Sequence, residues 1–172
     1  MIKSKLIVVV FMIFGLKTYA QAQTFKTWTN STKSISINYR NDWKYVEPND
    51  VMVAKFMPAK EYPNGINNSI SLIYSKTDPN IKTIESVKTF MQNYVKNFEN
   101  GKLVSFETEK INGKDNLITT ISLNRNNAPT MYKSYFFFNG TNTCTLMLIS
   151  EKSNFEENST LLKEMSKSLK IN

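Results

Sequence analysis

The sequence predicts an α+β fold: a mostly antiparallel sheet of about six or seven strands, covered on both faces, with two main helices. Three observations carry this. Runs of residues that alternate or are apolar on both faces recur between short turns. Two segments have helical spacing instead. Tight turns join the later strands, and short turns make neighbouring strands antiparallel.

Ser34 to Tyr39 alternates, with Ile35, Ile37 and Tyr39 on one face. Val51 to Met57 is a second strand candidate, and Ser69 to Ser75 a third, with Ile70, Leu72 and Tyr74 aligned. Thr83 to Glu99 places Ile84, Val87, Met91, Tyr94, Val95 and Phe98 on one helical stripe. Strand candidates follow at Lys102 to Lys110, Asn116 to Leu123, Thr130 to Phe138 and Thr143 to Ser150. The last three are apolar on both faces, which requires a layer on each side of them. The one-faced strands are expected nearer an edge. Ser153 to Leu169 is a second helix, with Ser153-Asn154-Phe155-Glu156 fitting a capping box. Asn112-Gly113 and Asn139-Gly140 read as hairpin turns, because Asn and Gly tolerate positive φ. Asn100-Gly101 reads as a helix C-terminal cap, and residues 62–69 as a loop.

An address precedes this domain. Lys3 and Lys5 form a positive start, Leu6 to Leu16 is an apolar run, and Ala20-Gln21-Ala22 offers small residues for cleavage. The run is shorter than the ~20 residues of a membrane-spanning helix. Residues 1–22 are therefore expected to be a signal peptide and 23–172 a single domain, with cleavage after Ala20 as the competing position. Removal of Lys3, Lys5 and Lys17 lowers the net charge from +8 to +5. The product is expected in a periplasm or outside the cell, with no transmembrane segment in the mature chain.

The composition excludes several chemistries. Of 172 residues none is histidine, and Cys144 is the only cysteine. A disulfide framework, a Cys/His zinc site and a His-based triad are ruled out. Gly-rich phosphate loops and nucleophile elbows are absent from the sequence. Cys144 lies on a strand that reads as central and is expected to be a buried, inert thiol. Glu107 and Glu109 share a strand face, but structural roles account for the carboxylates. The lysines are dispersed and do not alternate with aromatics, so nucleic acid is not an expected partner.

The order of motifs resembles the PsbP-like family, which includes the extrinsic subunits of photosystem II and DcrB-like periplasmic proteins. The resemblance starts at Ile35-Ser36-Ile37-Asn38-Tyr39-Arg40-Asn41-Asp42-Trp43 and passes through the Asn-Ser-Ile-Ser-Leu strand and the helix from Thr83. It continues at Lys110-Ile111-Asn112-Gly113-Lys114 and the hairpin around Asn139-Gly140, and ends at Ser168-Leu169-Lys170-Ile171. Arg40 stands where the family usually has Pro, and Asp42 where it has Gly. The resemblance implies a three-layer α/β/α sandwich and a non-catalytic accessory or binding role. The photosystem members are associated with metal ions, but no motif position here offers a matching ligand set, and no cofactor is expected.

The functional expectation is a secreted or periplasmic binding or accessory protein whose partner is an envelope or extracellular protein or a small ligand. Its candidate patch is aromatic: Trp28, Trp43, Tyr45 and Tyr62. The competing expectation is an envelope hydrolase using carboxylates or a Ser–Lys pair.

Overall fold

The computed structural model describes residues 24–48, 51–60, 68–78 and 84–171. The expected leader, and Tyr62 with most of the expected 62–69 loop, lie outside the described residues. The elements are β1 (Phe25–Asn30), β2 (Ile35–Arg40), β3 (Trp43–Val46), β4 (Met52–Pro58), β5 (Ser69–Lys76), α1 (Ile84–Val95), β6 (Lys102–Ile111), β7 (Lys114–Arg125), β8 (Ala128–Asn139), β9 (Asn142–Glu151), α2 (Phe155–Ser168) and β10 (Lys170–Ile171). Seven strands form a large sheet in the order β3-β4-β5-β9-β8-β7-β6, and β1-β2-β10 form a small one. Every pairing is antiparallel.

The two-faced strands create the layers. On β7, Leu117, Ile121 and Leu123 pack with Val87, Met91 and Val95 of α1. Ile118 points the other way and joins Leu161, Leu162 and Met165 of α2. On β8, Phe136 turns to α1 while Tyr135 and Phe137 turn to α2. The result is helix, sheet, helix. The small sheet shares α2's layer, with Ile35 and Ile37 of β2 fully buried beside Trp43, Phe56 and Ile70. Burial of each such side chain contributes roughly 1.5–3 kcal/mol.

The large sheet's seven strands fall within the six or seven expected, but several elements differ from the sequence reading. The strand at 35–40 belongs to a second sheet rather than the central one. β1 and β3 were not anticipated: β1 has few apolar residues and is mostly exposed, and β3 is four residues long. β5 sits between β4 and β9 rather than nearer an edge. Its second face is filled by Ser69 and Ser71, 3% and 1% exposed, small enough to pack where alternation reads them as polar. α1 ends at Val95 instead of Glu99, and Ile84 and Tyr94 of the expected stripe are exposed. Asn100 has the positive φ of a cap (54°), several residues past the helix end. Gly101 is required by proximity, because a Cβ there would lie 1.9 Å from the Val95 carbonyl oxygen.

The capping box does not form. A 3-10 turn at Lys152–Asn154 leads into α2, whose N-cap Asn154 makes no side-chain capping bond. Instead Arg40 ties this end down. Its guanidinium donates to Asp42 at 2.6 Å and to Glu157, in α2's first turn, at 3.2 Å. The hydrogen bond to Asp42, opposed by partial burial and aided by Glu157, raises the Arg40 pKa. The two residues that depart from the family's usual Pro and Gly are thus paired with each other.

The hairpins follow turn chemistry. Asn112 (φ 52°) and Gly113 (φ 78°) form the two-residue β6–β7 loop with the two positive φ values of a type I′ turn. Gly140 (φ 62°) opens the Gly140-Thr141 loop between β8 and β9. The β7–β8 loop, Asn126-Asn127, uses positive φ at both residues without any glycine.

Candidate functional site

The structure brings together part of the aromatic patch. Trp28 lies on β1, paired with Ile37 of β2, rather than outside strand alternation near a loop. Its ring stacks on Tyr45 of β3 at 6.0 Å and meets Phe56 of β4 edge-on at 6.3 Å. Tyr39 lies against Phe56 at 4.8 Å. These contacts join the small sheet to the large one, with geometries favoured by the ring quadrupole. Tyr45 donates its hydroxyl to Glu47 at 2.7 Å, and that bond raises the Tyr45 pKa. Trp43 is 2% exposed and belongs to the core, so it is not part of an open surface. Of the four residues, Trp28 and Tyr45 meet half-buried, and Tyr62 lies outside the described residues.

Cys144 is fully buried, and burial pushes its thiol up to about 12, far from the thiolate a nucleophile needs. Tyr135 is likewise pushed up to about 12 by burial, then by the negative charges of Glu109 and Glu107. Glu109 is ion-paired with Lys163 of α2 at 2.8 Å. A Ser–Lys pair occurs among the described residues, where Lys133 Nζ donates to Ser159 Oγ at 2.9 Å. Ser159 is 8% exposed on α2, and neither residue lines the clefts described next.

A cleft of about 640 Å³ opens where the small sheet meets the β6–β7 hairpin and the C-terminal end of α2. Thr27, Ser36 and Asn38 form one wall, Ile111, Asn112, Lys114, Asn116 and the end of β8 the other, and residues 167–171 the floor. Three exposed lysines line it from three elements: Lys114 at the start of β7, Lys167 in the last turn of α2, and Lys170 on β10. No Asp or Glu among the described residues lines it. None of the three lysines comes within 4.0 Å of a described carboxylate, although Lys110, Lys163 and Lys88 nearby or elsewhere do.

Side-chain amides shape this cleft. Asn112 Nδ2 donates to the carbonyls of Lys167 (3.3 Å) and Leu169 (3.2 Å), closing the end of α2 onto the hairpin. This occupies carbonyls at the negative pole of the helix. Asn116 is buried, and its Nδ2 holds the carbonyls of Ile111 and Lys114. Asn38 accepts from Thr27 Oγ1 at 2.9 Å through Oδ1, which leaves its NH₂ group as a donor. The backbone N–H of Asn38 donates to Ser168 Oγ at 2.9 Å, linking β2 to the end of α2.

Sequence reading missed this cleft because its lysines are far apart in the chain. A signal did exist. Lys110-Ile111-Asn112-Gly113-Lys114 and Ser168-Leu169-Lys170-Ile171, two of the stretches that carried the family resemblance, converge on it.

A second, smaller cleft of about 170 Å³ lies between the end of β5 and α1, bordered by Phe90, Phe136 and Phe138. Next to it, Phe90 stacks on Tyr94 at 6.1 Å, and both are exposed. No described helix is long and apolar enough to cross a membrane.

The architecture is that of the PsbP-like/Mog1 fold, an α+β sandwich. The solution structure of cyanobacterial PsbP from Synechocystis sp. PCC 6803 matches 92% of this chain and 99% of its own at 13% identity, with a TM-score of 0.66. LpqN of Mycobacterium tuberculosis, described as involved in cell envelope biogenesis, matches 90% of this chain and 87% of its own at 11% identity (TM-score 0.61). The Saccharomyces cerevisiae Ran-binding protein Mog1p matches 87% of this chain and 96% of its own at 10% identity (TM-score 0.61). At these identities the likeness establishes the fold alone. No family model matches the sequence, and no curated protein does.

Proposed function

We propose that this chain is a secreted or periplasmic, non-catalytic binding or accessory module, with residues 1–22 removed as a leader and 23–172 forming the module. Its ligand occupies the cleft floored by the end of α2. The observation that carries this reading is the cleft itself. Its volume lies within the ~300–1,000 Å³ of small-molecule sites, and three lysines with no carboxylate partner among the described residues line it. The fold neighbours support a binding role, since one is a Ran-binding protein and another serves envelope biogenesis.

The test is retention of envelope small molecules by purified residues 23–172, compared with a Lys114→Gln/Lys167→Gln/Lys170→Gln triple variant of unchanged melting temperature. Ligand recovered from the parent and lost from the variant supports the reading. Equal recovery from both removes the cleft as the site. The hydrolase reading rests on one observation, the 2.9 Å bond from Lys133 to Ser159. Turnover on a hydrolase panel, abolished by Ser159→Ala, would establish it in place of the binding module.

A further inference from the structure

We infer that the cleft recognises an acidic oligosaccharide, a short glycan carrying carboxylate or sulfate groups. This rests on the binding-module reading and specifies its ligand. Lys114, Lys167 and Lys170 present positive charge from three separate elements, with no Asp or Glu among the described residues in the lining to neutralise it. A ligand entering there meets cations that no described carboxylate pairs, so charge on the ligand is rewarded directly. A single small anion would satisfy one lysine and leave most of the 640 Å³ unused. The spread of the three calls for several negative groups along an extended molecule.

The remaining lining discriminates a sugar from a bare polyanion. Asn38 offers an NH₂ group that no described residue occupies, which suits a hydroxyl or ring oxygen. The Asn112 amide, spent on the carbonyls of Lys167 and Leu169, keeps the helix end from presenting them to an incoming anion. Several cations beside a free donor amide fit an acidic glycan, with its hydroxyls, better than phosphate.

The experiment is a titration of purified residues 23–172, followed by amide chemical shifts, with four probes. These are tetragalacturonate, its fully methyl-esterified neutral form, a chondroitin sulfate tetrasaccharide, and tripolyphosphate. At low salt tetragalacturonate or the sulfated probe should shift cleft residues and bind about tenfold or more tighter than the neutral ester. Which of the two binds tighter identifies the anionic group. Binding should weaken as salt rises. It should fall about tenfold in Lys114→Gln/Lys167→Gln, while Asn38→Ala should weaken the oligosaccharide but not tripolyphosphate. Tripolyphosphate binding as tightly as both acidic glycans overturns the inference, as does failure of both acidic glycans to shift the cleft. Equal binding of the neutral ester at the cleft also overturns it, but leaves the binding module standing. Release of new reducing ends from the glycan would instead overturn the non-catalytic reading.

Discussion

Asn112 serves two structures at once. It holds positive φ (52°) in the β6–β7 turn, and its amide closes the end of α2 through bonds of 3.3 and 3.2 Å. The contributions separate by substitution. Asn112→Gly keeps the backbone conformation and removes both amide bonds. Each neutral hydrogen bond contributes about 0.5–1.5 kcal/mol. Because both are long and one is solvent-exposed, the expected loss is about 1–2 kcal/mol. Asn112→Ala removes the same bonds and adds a Cβ that disfavours the left-handed region by about 1 kcal/mol more. Asn112→Asp tolerates positive φ but sets a carboxylate against two carbonyls, so it should fall below Gly. The assay is urea unfolding followed by circular dichroism, with stability read from midpoints at constant m-value. A domain of this size should lose roughly 2–4 °C of melting temperature per kcal/mol. A Gly variant within about 0.3 kcal/mol of the parent would refute the capping role. Identical Gly and Ala variants would refute the conformational one.

Three other outcomes are expected. The Cys144 thiol has an ordinary pKa of 9.0 and sits near 12 in the fold, so the folded state holds its proton more tightly. Stability from this group is fully present below pH 9 and is lost as pH rises toward 12, by about 1.4 kcal/mol at pH 10. In Cys144→Ala the decline between pH 8 and 10 should shrink by that amount, and an unchanged slope would contradict the buried thiol. Tyr135, raised from 10.0 to about 12, should steepen the loss only above pH 10. Gly101→Ala forces a Cβ to 1.9 Å from the Val95 carbonyl oxygen, so it should cost about 3 kcal/mol or more, or prevent folding; a melting temperature within a few degrees of the parent would contradict that approach. Arg40→Ala should destabilise by about 1–2 kcal/mol by releasing Asp42 and the first turn of α2. Glu157→Gln, on a partner that is 69% exposed, should cost less than 1 kcal/mol in the same assay.

The sequence is legible where its pattern is local. The two-faced apolar runs of β7, β8 and β9 announced a sheet covered on both sides, and Leu117 and Ile118 do face different helices. Asn112-Gly113 announced its own turn. Legibility stops where a neighbour decides. β1 reads as irregular because its partner β2, rather than its own apolar residues, holds it in place. Ser69 and Ser71 read as solvent-facing, since nothing local reveals that small hydroxyl residues lie under a covering layer. Trp43 was grouped with Trp28 and Tyr45 by residue type, yet only the latter two stack near the surface. The cleft was the least accessible feature, because Lys114 is brought beside Lys167 and Lys170 only by the way the hairpin closes on α2.

The small sheet also constrains assembly. β2 lies between β1 and β10, and the contact from Asn38 to Ser168 spans 130 residues of chain. The β1–β2 hairpin therefore lacks its third strand until Lys170 and Ile171 have been synthesised. Its mating edge stays open until then, and closing so long a loop slows this step of folding. Docking of β10 on β2 is thus a late event that the large sheet need not wait for.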